Sequence, residues 1–327
     1  MKRRDFITLL GSAALAWPLA ARAQQPAMPV IGFVSSRSLD GSARHAASFS
    51  KGLSETGNVE GQNVMVEYHW LSGQNDRLPA LMADLVRRRV AVIATPGDPT
   101  TLAAKAATAT IPIAFGISED PVRHGLVASL ARPGGNATGI NFLTAEVLAK
   151  RLGLLHELAP KAVRVAVLVN PSNTASTEST LRAVPEAARA IGLQTQVLNA
   201  STSREIESAF ATIVNDRADA LFVGPDGFFN SRRVQFATLA TRYGIPAAYA
   251  SRETVEIGGL MSYGTDLLDM YRQVGVYTGR ILKGAKPADL PVVQSTKFEF
   301  VINLQTARAL GIEVPNAIQL LADEVIE

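Results

Sequence analysis

Two aspartates stand one residue ahead of a proline in loops of similar make-up, Thr95-Pro96-Gly97-Asp98-Pro99 and Ser118-Glu119-Asp120-Pro121. Paired carboxylates could serve as general acid and base, hold a ligand's ammonium group, or cap helices. Capping explains the Asp-Pro pairing by itself: the carboxylate accepts from free first-turn amides, and a proline in the first turn has no amide to waste. Capping carboxylates are ionised, so neither loop offers the raised pKa that acid–base work at neutral pH needs. Capping and lining a pocket remain compatible roles.

The other ingredients of catalysis are missing from the pattern. None of His45, His69, His124 and His156 has metal-ligand spacing to another histidine or to a carboxylate cluster. His124, just past the second loop, is the one expected near a cleft. There is no G-x-S-x-G elbow, no G-x-x-x-x-G-K-[ST] and no G-x-G-x-x-G after a strand. The glycine-rich stretch 132–139 precedes a strand instead of opening a helix and reads as a turn. The absence of cysteine excludes thiol catalysis, disulfides and thiolate metal sites. The residues suit binding without turnover, with no metal and no cofactor.

Apolar runs alternating with helical patterns must position these loops. Strands are expected at 30–35, 63–70, 90–95, 111–118 and 137–142, then at 163–170, 193–198, 218–224 and 245–251. Helices are expected between most of them, including one after 111–118. Such alternation predicts an α/β fold of two doubly wound parallel-sheet lobes. Ligands of open parallel sheets bind beyond the carboxyl ends of the strands. Those ends carry Ser35-Ser36, "TPGDP", "SEDP", "NPSN" and "PDGFFN", all rich in hydroxyls, amides, loop N–H groups and acids. Phe228, Phe229 and Tyr249 could cover an apolar side chain. The tail after 258 holds a further strand, a long helix and more strands, so the chain is expected to return to both lobes and cross between them three times. The predicted division is 29–140 plus 262–290 for the first lobe and 141–261 plus 291–327 for the second.

The first 23 residues read as an export signal. Lys2, Arg3 and Arg4 precede an apolar stretch from Phe6 to Ala21, and Ala21-Arg22-Ala23 is an A-x-A cleavage site with the cut after Ala23. Arg3-Arg4 followed by Asp5-Phe6-Ile7 resembles a twin-arginine signal, with a plain Sec signal as the alternative. Pro18 interrupts an apolar run already short for a membrane span. Cleavage removes four of 32 basic and one of 29 acidic residues, leaving 28 of each. The pI of about 9.2 is thus largely a property of the leader, and nucleic-acid binding loses its global support. Without a cysteine a lipid anchor is excluded, so a free, soluble periplasmic protein is expected.

Several longer motifs resemble one family. "NVEGQNVMVEY", "DPVRHGLVASLARPGGNATGINFLTAEVLAKRL", "FFNSRR" and "GGLMSYGTDLLDMYRQVGVYTGRILKGAKPADLPVVQSTKFEFVINLQTARALG" are similar to the ABC-transporter substrate-binding proteins of the tryptophan/tyrosine-type group. The resemblance covers nearly all the chain after the leader. It implies a type I periplasmic-binding fold, two lobes joined by three hinge crossings, a small solute between them, and hand-off to a membrane permease and its ATPase. The family's cleft-lining loops fall on Ser35, Ser36, Thr95, Gly97, Asp98, Ser118, Glu119 and Asp120. In the second lobe they fall on Asn170, Asn173, Asp226 and Asn230, with Tyr249 added from its strand end. One departure stands out: relatives commonly carry Gly-Gly or Gly-Thr before the proline, where this chain reads "TPGDP". Pro96 removes an amide and Asp98 adds a charge.

The expected function is capture of a small polar solute, amino-acid-like, aromatic ones included, by a monomer that closes about its hinge and serves an ABC importer. A ligand sensor of the same fold and an α/β enzyme are the alternatives.

Overall fold

The computed structural model describes residues 28–142 and 145–327; the expected leader and its cleavage site at Ala23 lie outside the described residues. The first part of the chain forms β1 (Val30–Ser35), α1 (Ala43–Ser54), β2 (Met65–Trp70), α2 (Leu78–Arg88), β3 (Val92–Pro96), α3 (Asp98–Ala107), β4 (Ile113–Ile117) and β5 (Ala137–Asn141). The next forms α4 (Ala145–Leu158), β6 (Arg164–Val169), α5 (Thr174–Ala190), β7 (Gln194–Asn199), α6 (Ser203–Asn215) and β8 (Ala220–Val223). It continues through α7 (Gly227–Ser231), α8 (Arg233–Tyr243), β9 (Ala247–Tyr249) and α9 (Arg252–Glu256). The tail adds β10 (Met261–Thr265), α10 (Leu267–Leu282), β11 (Val293–Gln294), β12 (Phe298–Asn303), α11 (Leu304–Ala309), α12 (Asn316–Leu321) and β13 (Glu324–Ile326).

Two sheets result, ordered β11-β5-β4-β3-β1-β2 and β13-β12-β10-β9-β8-β6-β7. All pairings are parallel except β10 with β12. Strands such as β1, β3, β4 and β8 are apolar and almost wholly buried, as strands covered by helices on both faces must be. In the first lobe, α1 and α10 cover one face through Phe49, Leu53, Met270, Tyr271 and Val274. The other face is covered by α2 and α3 through Leu78, Met82, Leu85 and Ala104. In the second lobe, α4 and α5 pack on one face, and α6 and α8 on the other.

The packing of α1 on α10 is set by glycine. A Cβ on Gly275 would stand 2.1 Å from the Phe49 carbonyl oxygen, and one on Gly52 1.8 Å from that of Arg272. The two backbones therefore meet with no side chain between them.

Two expectations are corrected. No helix follows β4: residues 121–125 form a chain of turns, because Pro121, Gly125, Pro133 and Gly134 punctuate what the apolar residues suggested was helical. The tail also divides later than expected. Residue 262 lies inside β10, which pairs with β9 and β12 and so belongs to the second sheet. Val292 is buried in the first lobe, and β11 pairs with β5, so the return to the second lobe comes after Gln294, not at 291. The chain passes between lobes after β5, between β10 and α10, and between β11 and β12.

Among the described residues no helix is long and apolar enough to cross a membrane, and no group of three or more His, Asp or Glu could hold a metal ion.

Candidate functional site

The carboxyl ends of the two sheets face one another across a cleft enclosing a cavity of about 110 Å³. Ser35 and Ser36 close β1 at its rim, where the Ser36 hydroxyl donates to Asn75 Oδ1 at 2.8 Å. Ser35 shares a hydrogen bond with the phenol of Tyr271, which α10 brings to the wall. Gly97 and Asp98 come from the β3–α3 junction and Ser118 from the end of β4. The second lobe contributes Asn173, Asp226 and Asn230. Eight of the expected positions therefore line one space.

Asp98 does more than start a helix. Gly97 is the residue that precedes α3, with φ of 155° and ψ of 150°, a conformation essentially reserved for glycine. The Asp98 carboxylate turns away from the first-turn amides. It accepts instead from Ser118 N at 2.8 Å, Ser118 Oγ at 2.5 Å and Glu119 N at 3.3 Å. One buried carboxylate thus ties the β3 loop to the β4 loop. Burial pushes its pKa up, and the bonds from Ser118 and Glu119 oppose that rise.

Asp226 is its counterpart in the second lobe. It caps α7 through Phe229 N at 3.0 Å, and it accepts from Asn170 Nδ2 and Asn173 Nδ2, both at 3.1 Å. Burial raises its pKa as well, against the pull of the Asn170 bond.

Five expected residues do not line the cavity. Thr95 is buried in β3, where its hydroxyl meets that of Thr101 at 3.0 Å. Asn170 is spent on holding Asp226. Asp120 is exposed and takes Val122 N at 2.9 Å in a local turn. Tyr249 points into the second lobe's core near Phe236, its hydroxyl buried without a partner among the described residues. Glu119 lies at the lobe boundary, where Ser179 and Arg182 of α5 approach it from the second lobe. Burial first, and the Asp98 charge second, push its pKa up to about 7. His124 is not on the wall, while His45 sits behind it. The His45 ring is 4.7 Å from that of Tyr271, and burial with the Arg37 charge lowers its pKa to about 2.

Several wall residues were not anticipated: Arg37, Phe142, Val147, Arg151, Met270 and Tyr271. Arg151 carried a signal, since it follows Leu148 by three positions and precedes Leu152 and Leu155, a charge on a helix face otherwise apolar. Met270 and Tyr271 had none, because their apolar helical spacing is that of any core residue.

The lobes touch directly. Arg37 pairs with Glu253, Ser38 N donates to Ser231 Oγ at 3.0 Å, and Arg44 approaches Glu256 at 3.2 Å.

The model of the ABC transporter substrate binding protein family matches residues 28–326. The chain belongs to that family. A tyrosine-binding protein of Clostridioides difficile is 29% identical over 269 residues, 81% of this chain and 76% of that protein. A Streptococcus pneumoniae domain solved in complex with L-Trp is 25% identical, with 91% of this chain and 99% of that one covered at a TM-score of 0.83. The ligand-free, open structure of a Clostridium difficile substrate-binding protein has the same identity and coverages but a TM-score of 0.63. The fold is the type I periplasmic-binding fold, and the family is one of substrate-binding proteins, not enzymes.

Proposed function

We propose that this substrate-binding protein captures a small solute with an apolar, aromatic-sized body, acting outside the cytoplasmic membrane. It would then deliver that solute to the permease and ATPase of an ABC importer. The observation that carries the reading is the cavity itself: its wall is drawn from both lobes, so a ligand within it bridges them. Such a ligand favours the closed arrangement because only there does it meet both sets of contacts. The Arg37–Glu253 and Ser38–Ser231 contacts, and the closer match to the L-Trp complex than to the open form, support reading this arrangement as closed.

The chain acts as a monomer in this reading and binds no nucleic acid. The Asp98 and Asp226 carboxylates frame the site and do not catalyse, since each is held by protein donors. A thermal-shift screen of the purified protein against amino acids and related small metabolites tests the reading. Stabilisation without consumption is expected, amounting to about 2.7 kcal/mol when free ligand is a hundredfold above Kd. Conversion of a solute into product overturns it.

A further inference from the structure

Resting on the reading above, we propose that Arg151 is the carboxylate receptor of the cleft and that the captured solutes are apolar carboxylates. Arg151 is 2% exposed, yet it forms part of the cavity wall. Its Nε donates to the Tyr263 carbonyl at 2.6 Å and Nη1 to that of Val223 at 3.5 Å, while Cζ stands 5.3 Å from the centre of the Phe222 ring. These contacts aim the guanidinium but bring it no negative charge. Burial alone moves its pKa, down to about 9, with no carboxylate among the described residues near enough to offset it. It is a cation at neutral pH all the same.

A buried cation without a counter-ion is costly, and a ligand carboxylate supplies the missing charge in a geometry the planar guanidinium matches at two points. The other charges among the described wall residues are already committed. Arg37 is paired with Glu253, Asp98 accepts three bonds from Ser118 and Glu119, and Asp226 accepts three from Asn170, Asn173 and Phe229. Much of the rest of the wall is apolar, with Phe142, Val147 and Met270 available to flank a hydrocarbon or aryl body. The group recognised is thus the carboxylate, and an ammonium is not required.

Calorimetry with four probes tests this: 3-phenylpropanoate, L-tyrosine, the neutral 3-phenylpropanamide and tyramine, an amine without a carboxylate. The two carboxylates bind, and the amide and amine bind at least a hundredfold more weakly or not at all. Arg151→Met abolishes carboxylate binding, and Arg151→Lys, which keeps the charge but loses the fork, weakens it at least tenfold. The probe comparison in the unaltered protein stands whether or not the variants fold. Amide binding as tight as the acid's, carboxylate affinity retained in Arg151→Met, or no binding of either carboxylate at millimolar concentration overturns the proposal. An uncharged solute bound equally by the unaltered protein and Arg151→Met overturns it while leaving the receptor reading intact. Consumption of a probe overturns the receptor reading itself.

Discussion

Arg37 at the end of β1 and Glu253 in α9 form an ion pair between the lobes, with side chains only 7% and 12% exposed. His45 Nε2 adds a contact to the same carboxylate at 3.3 Å, from an imidazole that burial keeps neutral. In the closure proposed above, the pair forms only when the lobes come together, so its energy belongs to closure more than to the fold of either lobe.

Glu253→Gln is therefore expected to weaken ligand binding at least tenfold while leaving the ligand-free melting temperature within a few degrees. Removing one partner of a buried pair leaves the other charge uncompensated, which costs on the order of 3–5 kcal/mol in the closed state. Calorimetry gives the affinity, and small-angle scattering should show a larger radius of gyration for the ligand-free variant.

Asp98→Ala removes the acceptor that ties the β3 and β4 loops. Two buried amides lose their partner, at about 1–3 kcal/mol each, partly offset by relief of the buried charge. The expected net loss is about 2–3 kcal/mol in urea unfolding. Asp98→Asn keeps an acceptor for the Ser118 and Glu119 amides and should stay within about 1 kcal/mol of the unaltered protein. A loss as large as alanine's would mean that the charge, not the acceptor, holds the loops.

Glu119 makes stability depend on pH. Its folded pKa of about 7 lies above the ordinary 4.5, so between those values the folded chain holds a proton that the unfolded chain has released. Stability should fall as pH rises through this window and level off above it, by about 1–2 kcal/mol after allowance for solvent screening. Glu119→Gln should reduce that slope in chemical denaturation between pH 5 and 8. Asp98 and Asp226, raised in the same direction by burial, contribute to the slope with the same sign.

Gly275→Ala places a methyl group 2.1 Å from the Phe49 carbonyl oxygen, forcing α1 and α10 apart. Overpacking of this kind costs about 1–3 kcal/mol, and backbone on both sides leaves little room for relief. The melting temperature should drop by several degrees, whereas alanine at Gly192, which has no atom within 4 Å but a φ of 77°, reports backbone strain alone.

The strands were legible because helices on both faces demand continuous apolar runs, which no other local structure explains as economically. Val30–Ser35 and Arg164–Val169 illustrate this. Strand-end positions were legible too, but not the direction of each side chain. Thr95 and Tyr249 sit at the correct ends and point into the lobes, since successive residues of a strand face opposite ways. Glu119 belongs to a boundary that only the packing of α5 creates. The wall residues on α10 were invisible for another reason. Their helix reaches the first lobe from the second, and nothing local distinguishes a core tyrosine from one at a cleft. Residues 121–130 misled because Leu126 and Val127 are buried by tertiary contacts and not by a helix face.

That long-range helix also governs the order in which the molecule can be completed. Phe49 and Leu53 of α1 are buried against Met270, Tyr271 and Val274 of α10. During synthesis the first lobe must wait, with that apolar face uncovered, until the ribosome has delivered residue 282. The stretch from α4 to β10 waits as well, since Phe300, Ile302 and Ile318 complete the core of the second lobe. Both lobes therefore depend on the tail for completion, the first on α10 and β11 and the second on β12 and β13, and a fragment ending after β5 would lack the α10 side of its own core.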